Sequence, residues 1–204
     1  MFNLKNIYWA YWGKSGLPKK ICNEIIKEGL SKTNNIATTG GVKEIPKDKK
    51  TLKKLHKVRN SNVAWLNNFW IMKEIRPYVF ASNMAAGWNY QYDSAEACQF
   101  TVYDSKQKQH YDWHTDGIQD ETNTCRKIST SILLNDPSEY EGGDLLFKNY
   151  IPHYDKGDKI LNTNKIKQQG TIITFPSFVM HKVTPVTKGT RYSLVIWHRG
   201  ENFK

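Results

Sequence analysis

The chain has 204 residues, of which 39% are hydrophobic and 13% aromatic, enough for one packed domain and too apolar for wholesale disorder. Its net charge of +11 is uneven: residues 1–60 carry 14 basic and 4 acidic side chains, a net of +10, whereas residues 61–204 carry 16 and 15, a net of +1. That asymmetry argues against a nucleic-acid or membrane surface spread over the whole molecule. No apolar run nears the ~18 residues of a membrane span. The N-terminus lacks an apolar signal core, and Cys22, Cys98 and Cys125 are odd in number and form no CxxC pair. Reduced thiols in a cytoplasmic protein are the expectation, without a disulfide framework or a zinc knuckle.

Pro18, followed by Ile21, Cys22, Ile25, Ile26 and Leu30, predicts a helix with proline in its first turn. Residues 31–60 are Lys-rich, contain Gly and Asn, and read as an exposed loop or ribbon. A second helix is predicted from about Asn67 into the 80s, with Leu66, Phe69, Trp70 and Ile75 as its apolar stripe and Pro77 as a kink. After Gly87 the pattern changes to short β-type segments at 99–103, 111–116, 128–134, 144–147, 171–175 and 191–198, separated by turn residues. Helices followed by many short strands predict a single α+β domain. Residues 1–86 form a basic, helical lead-in, and residues 87–204 a sandwich or barrel.

The stretch Tyr111-Asp112-Trp113-His114-Thr115-Asp116-Gly117 carries the most chemistry. Residues two apart in a strand share a face, so His114 and Asp116 present an imidazole and a carboxylate side by side. That is half of a facial metal site, and His181, at the start of a further predicted strand, is the best third ligand among six histidines. Two histidines and one carboxylate leave metal positions open, as in non-haem Fe(II) oxygenases. A lone HxD is common, and a hydrogen-bonded core histidine is the ordinary fate of a residue such as His181. HExxH is absent, which disfavours a zinc protease. Arg191 enters an apolar strand and must be paired if buried, either by an internal acid or by a ligand carboxylate that fits its fork. Tyr111 and Trp113 share the face opposite His114 and Asp116 unless a bulge intervenes. Trp197 shares the parity of Arg191.

The set His114-x-Asp116, His181 and Arg191 resembles the 2-oxoglutarate and Fe(II)-dependent dioxygenases. Within them it is most similar to the prolyl 4-hydroxylase-like branch, in particular the bacterial and phage PKHD-type hydroxylases. Supporting blocks are Leu134-Asn135-Asp136-Pro137, Tyr140-Glu141-Gly142-Gly143-Asp144-Leu145, Phe175-Pro176-Ser177 and His181-Lys182-Val183-Thr184-Pro185-Val186. The resemblance spans about residues 57–200. It implies a double-stranded β-helix (jelly-roll) core with N-terminal helices packed outside. It implies His114, Asp116 and His181 as iron ligands and Arg191 as partner of the distal carboxylate of 2-oxoglutarate. Tyr103 and Thr130 resemble further co-substrate contacts, and Tyr111 resembles a residue of the substrate mouth, where Trp197 is a second candidate.

The implied cofactors are Fe(II), 2-oxoglutarate and O2, with ascorbate as a further candidate. The implied reaction is hydroxylation of an unactivated C–H bond with release of succinate and CO2. The first-choice substrate is a prolyl residue in a peptide or protein, and residues 43–59 are the candidate mobile lid. Hydroxylation of a free amino acid or small metabolite, a non-catalytic jelly-roll binding module and a nucleic-acid demethylase stand as alternatives. The near-neutral 61–204 segment weighs against the last.

Overall fold

The computed structural model describes residues 10–13, 16–32, 35–36, 48–117, 123–149 and 159–203. In chain order these form β1 (Ala10–Trp12), α1 (Lys19–Lys32), β2 (Asn35–Ile36), α2 (Lys49–Val58), β3 (Arg59–Asn60), β4 (Asn62–Leu66) and α3 (Phe69–Ala85). Then follow β5 (Ser94–Ala95), β6 (Cys98–Asp104), β7 (His110–His114), β8 (Thr124–Leu133), β9 (Tyr140–Gly142), β10 (Leu145–Asn149), β11 (Lys159–Asn162), β12 (Ile172–Pro176), β13 (His181–Val183) and β14 (Val186–Glu201). Two antiparallel sheets form the jelly roll. The major sheet runs β1-β12-β8-β14-β6-β4-β2, with β5 and β9 also paired to β14, and the minor sheet runs β11-β10-β13-β7-β3.

The major sheet is buried on both faces, and strand alternation divides its side chains between two cores. Phe100, Ile128, Ile132, Ile172, Leu194 and Ile196 point to the outer face, where Ile25 of α1 and Ile71, Ile75 and Val79 of α3 cover them. Tyr103, Ile173 and Phe175 point inward and meet Leu145, Phe147 and Val183 of the minor sheet. Helices α1 and α3 therefore pack outside, against the major sheet, whereas α2 packs beside β3 and β7 of the minor sheet. On α1, Gly29 allows the closest approach: a Cβ there would lie 2.3 Å from the Phe100 ring. That contact accounts for a glycine inside a helix, where it costs about 1 kcal/mol relative to alanine.

Several predicted details change. The buried stripe of α1 is Cys22, Ile25 and Gly29, and Leu30 is exposed. The buried stripe of α3 is Ile71, Ile75, Val79, Ser82 and Asn83. Phe69 is 81% exposed, and Leu66 belongs to β4 instead. Pro77 lies on the exposed side of α3, where water can satisfy the carbonyl that loses its amide partner.

The expected exposed loop at 31–60 contains α2, capped where the Asp48 side chain accepts from Thr51 N–H at 2.8 Å. It also contains β3, which pairs with β7. Of the candidate lid, residues 48–58 form α2 with its cap, Arg59 enters the minor sheet in β3, and residues 43–47 lie outside the described residues. The lead-in is not wholly helical either, because β4 extends the major sheet beside β6. No helix among the described residues is long and apolar enough to cross a membrane.

Candidate metal centre

Antiparallel pairing of β7 with β13 places His181 directly opposite His114. Asp116 follows just beyond the end of β7, its N–H donating to the Ser177 carbonyl at 2.8 Å. The candidate ligand atoms of His114, Asp116 and His181 all lie within 4.8 Å of one another. His114 Nε2 is 3.7 Å from Asp116 Oδ1, and His181 Nε2 is 3.5 Å from Asp116 Oδ2. Ligands at ~2.1 Å from a shared ion on adjacent octahedral positions stand about 3 Å apart, so the three need only a small closure to hold one.

Both imidazoles are turned by their other nitrogen. His114 Nδ1 lies 2.7 Å from the Asp112 carbonyl, and His181 Nδ1 lies 2.9 Å from that of Val179. A carbonyl only accepts, so each Nδ1 carries the proton and each Nε2 offers its lone pair to the centre. Burial, and then the neighbouring His181, push the His114 pKa down to about 3 against the attraction of Asp116, so the ring is neutral at neutral pH. Burial would raise the Asp116 pKa, but the two histidines, with smaller help from the Trp197 indole and the Ser129 hydroxyl, hold it below the ordinary carboxylate value. Ser129 Oγ donates to Asp116 Oδ2 at 2.8 Å and lies 2.9 Å from Ser177 Oγ. A neutral His114 and an ionised Asp116 suit a divalent metal, which binds deprotonated donors.

A small cavity of about 40 Å³ adjoins the triad, lined among others by Arg59, Gln99, Tyr103, Tyr111, Ser131 and Trp197. A larger cleft of about 620 Å³, bordered by Gly16, Pro18, Lys19 and Asp136, contains none of the triad residues. Arg191 is 1% exposed, lies opposite Tyr103 in the β14–β6 ladder, and holds its guanidinium 5.3 Å from the Tyr103 ring centroid. Arg191 Nη1 donates to Ser193 Oγ at 3.0 Å, whereas Nε and Nη2 are buried with no hydrogen-bond partner among the described residues. No acidic side chain pairs with it among the described residues, and the orphaned N–H groups fit a ligand carboxylate. The buried Trp197 follows on the same inward face, stacked beneath Arg126 at 3.9 Å. Arg126 is in turn held by both oxygens of Glu96.

Two candidate residues are placed differently from the simple strand pattern. Between His181 and Val183 the register slips, so that two steps along β13 oppose three along β7, from His114 to Tyr111. That bulge brings Tyr111 to the face of His114, with ring centroids 3.4 Å apart, while Trp113 remains outside near Lys148 and Lys182. Tyr111 therefore lines the cavity. Thr130 does not: it lies opposite Ile196 and Thr174, on the helix-covered face, and its neighbours Ser129 and Ser131 point inward. Alternation keeps the Thr130 hydroxyl on the wrong side of the sheet for a ligand in the cavity.

Sequence reading missed Arg59, whose Nη2 donates to Gln99 Oε1 at 2.6 Å and whose guanidinium lies 4.5 Å from the Tyr111 ring. The only signal was the apolar run Val63-Ala64-Trp65-Leu66 just after it, which marks a strand and so an ordered approach to it.

The family model described as the 2OG-Fe(II) oxygenase superfamily matches residues 98–199, half of the chain. A PKHD-type hydroxylase of Prochlorococcus marinus is 42% identical over 71 residues, covering 34% of this chain and 28% of that protein. The chain spans well under half the length of the curated relatives it matches, from 27% to 37% of the first three. Among solved structures, a Pseudomonas putida prolyl-4-hydroxylase aligns with a TM-score of 0.65 at 18% identity, over 98% of this chain and 96% of that one. A Trichoplax adhaerens prolyl hydroxylase in complex with a hypoxia inducible factor peptide fragment aligns with a TM-score of 0.62 at 16% identity, over 95% and 84%. At these identities the structural likeness carries the fold.

Proposed function

Because the chain belongs to the 2OG-Fe(II) oxygenase superfamily, we propose that it is a 2-oxoglutarate- and Fe(II)-dependent dioxygenase acting on a prolyl residue of a peptide or protein. The observation that carries this reading is the triad His114, Asp116 and His181, its ligand atoms within 4.8 Å of one another and its Nε2 lone pairs free for metal. In this reading these three residues hold iron within a single domain spanning the chain. When bound, iron and 2-oxoglutarate supply the oxidising power for C–H hydroxylation, with succinate and CO2 as co-products.

The chain's own residues do the positioning. Ser129 fixes the Asp116 carboxylate by a hydrogen bond at 2.8 Å. Arg191 offers its two unsatisfied N–H groups to the distal carboxylate of the co-substrate, with Tyr103 beside it. Tyr111 and Trp197 border the same space, and Trp65, 47% exposed with its ring 6.1 Å from that of Trp197, extends the aromatic surface outward. Aromatic faces of this kind suit the flat, apolar ring of proline. The names of the relatives and structural neighbours, hydroxylases and prolyl hydroxylases, support the substrate assignment. Ascorbate is assigned as an accessory cofactor and the cytoplasm as the compartment, on the family resemblance and the free cysteines respectively.

Incubation with Fe(II), 2-oxoglutarate and a proline-containing peptide library tests the reading. A gain of ~16 Da (one oxygen atom) localised to proline by fragmentation, with matching succinate, is the expected result. A second reading, hydroxylation of a free amino acid, is favoured by Arg59, a second buried guanidinium lining the cavity, which suits a substrate carboxylate. Stimulation of succinate formation by free amino acids, with no peptide modified, would select it.

A further inference from the structure

A further cleft, of about 430 Å³, opens where β14 leaves the metal centre. The strand runs from the buried Arg191, past Trp197 at the cavity of the triad, to Gly200 and Glu201, which border this cleft with Asn202 and Phe203. Successive strand residues are ~3.3 Å apart, so Gly200 lies about 10 Å beyond Trp197. The cleft shares the scaffold of the triad. Ser177 N–H donates to the Lys127 carbonyl at 3.0 Å, and Asp116 N–H donates to the Ser177 carbonyl at 2.8 Å. The pairing of β8 with β14 slips between His198 and Arg199, which face Ile128 and Arg126. Lys127 is thereby the extra residue of a bulge, a device that re-aims a side chain beside a site.

Lys127 is 5% exposed and lines the cleft. Its ammonium stands 3.4 Å from the Phe203 ring centroid and has neither a hydrogen bond nor an ion pair among the described residues. A buried lysine is almost always paired, and a ring face offsets only about 0.5–2 kcal/mol of the cost of burying its charge. Asn202 Oδ1, in the wall of the same cleft, is also buried without a partner among the described residues. The edge of the opening is aromatic. Phe203 meets Tyr90 and Phe178 edge-on, with ring centroids 5.4 and 6.4 Å apart, and Phe178 and Phe203 are exposed. Phe178 follows Ser177, whose hydroxyl lies 2.9 Å from that of Ser129, so this edge begins beside the triad.

We propose that this cleft is an outer subsite for the substrate peptide, in which Lys127 takes the carboxylate of one acidic side chain carried near the target proline. The assignment rests on the reading of the chain as a peptidyl prolyl hydroxylase and specifies the chemistry of its substrate. A carboxylate supplies the anion that Lys127 lacks, in a charge-assisted hydrogen bond. The Asn202 amide oxygen can accept a backbone N–H of the same peptide. Asp93 and Glu201 border the cleft and are exposed, so they repel a run of negative charge and favour a single acid among neutral or basic neighbours. Lys127 is two residues from Ser129 along β8, and its stem adds about as much again, which places the ammonium about 10–15 Å from the Asp116 carboxylate. An extended peptide covers ~3.4 Å per residue, and the acidic side chain bridges part of the gap, so the acid belongs about two to four residues from the proline.

The test uses the full wild-type chain with Fe(II), 2-oxoglutarate and synthetic peptides. Each peptide carries one proline in a neutral background and a single Glu, or a single Gln, at successive positions on either side. Hydroxylation is read as the gain of one oxygen atom on proline. The expected result is a preference for Glu over Gln of about tenfold or more in kcat/KM at an offset of about two to four residues, the scale of one hydrogen bond to a charged group. A run of Glu at that place should be a poorer substrate than the single Glu. Prolines hydroxylated with a Glu-to-Gln ratio near one at every offset overturn the subsite and leave the prolyl reading standing. A run preferred over the single Glu overturns the single-acid assignment.

Lys127→Met keeps an apolar stem and removes the charge. The Glu-to-Gln ratio is taken within each protein, so a variant of lowered activity still reports, and in Lys127→Met the ratio should collapse to about one. A preference for Glu retained in this variant refutes the role of Lys127. If a wild type that forms succinate hydroxylates none of the peptides, the peptidyl reading falls and the subsite falls with it, an outcome distinct from prolines hydroxylated without regard to Glu.

Discussion

Replacing Ser129 with alanine probes how the carboxylate of the triad is held. The Ser129 hydroxyl donates to Asp116 Oδ2 at 2.8 Å and stands 2.9 Å from Ser177 Oγ, all three residues being buried. Removing it strips one charge-assisted hydrogen bond from a carboxylate that water cannot reach, a loss of about 1.5–3 kcal/mol. At 1.4 kcal/mol per decade this is about 10- to 150-fold in metal affinity, in line with the ~10–100-fold cost usual for residues that orient metal ligands. The backbone bond from Asp116 N–H to the Ser177 carbonyl survives the change, so the carboxylate loses orientation rather than position. Ser177 Oγ is the nearest replacement donor. If it turns toward Asp116 the loss falls at the lower end of the range, and Ser129→Ala/Ser177→Ala reaches the upper end. Mn(II) affinity by calorimetry, with thermal melting to certify folding, measures both variants. A folded Ser129→Ala protein with wild-type Mn(II) affinity would refute the reasoning.

Other substitutions test separate parts of the structure. Gly143→Ala puts a Cβ 2.6 Å from Arg191 Cδ at a backbone φ of +60°, and should weaken 2-oxoglutarate binding by about 10–100-fold while sparing Mn(II) affinity. Equal binding of 2-oxoglutarate would show that Arg191 does not depend on the glycine. Thr130→Val should leave 2-oxoglutarate affinity within about twofold and the melting temperature no lower, because the Thr130 hydroxyl is buried on the helix-covered face with no hydrogen-bond partner among the described residues; a large loss of affinity would place Thr130 in the cavity after all. His198 is buried against Tyr92, and burial, then the charge of Arg76, push its pKa from 6.5 to about 4. The unfolded chain takes up that proton first, so stability is full above pH 6.5 and falls as pH drops toward 4, by up to about 3 kcal/mol from this group. His198→Gln should flatten the slope of urea-denaturation stability between these pH values, and an unchanged slope would remove His198 as its cause.

What could be read from sequence followed the period of the local signal. The inward row of β14, Arg191 to Trp197, was legible because strand alternation is regular there, and the structure keeps both residues on one buried face. For Tyr111, regular alternation gives the outside face unless a bulge intervenes, whereas the resemblance gives the substrate mouth; the pairing of β7 with β13 supplies the bulge, the chain slipping by one residue beside His114. Thr130 was one residue out of register, the smallest error possible in a strand and one that reverses the face. The Lys-rich segment concealed α2 because its helix has few apolar residues to mark a period, with Leu55 its one buried side chain. Arg59 was lost with it, since its place beside Gln99 depends on a contact 40 residues away in sequence.

Succinate formation from 2-oxoglutarate in air, with Fe(II) supplied, compares the wild-type chain with Asp116→Ala most directly. Asp116 is the carboxylate within 3.7 Å of both candidate histidine ligands, so its removal should abolish the iron site. The expected result is steady succinate from the wild type and background from the folded variant. Wild-type succinate from Asp116→Ala, or none from an iron-loaded wild type, would contradict the assignment of this triad as the oxygenase centre.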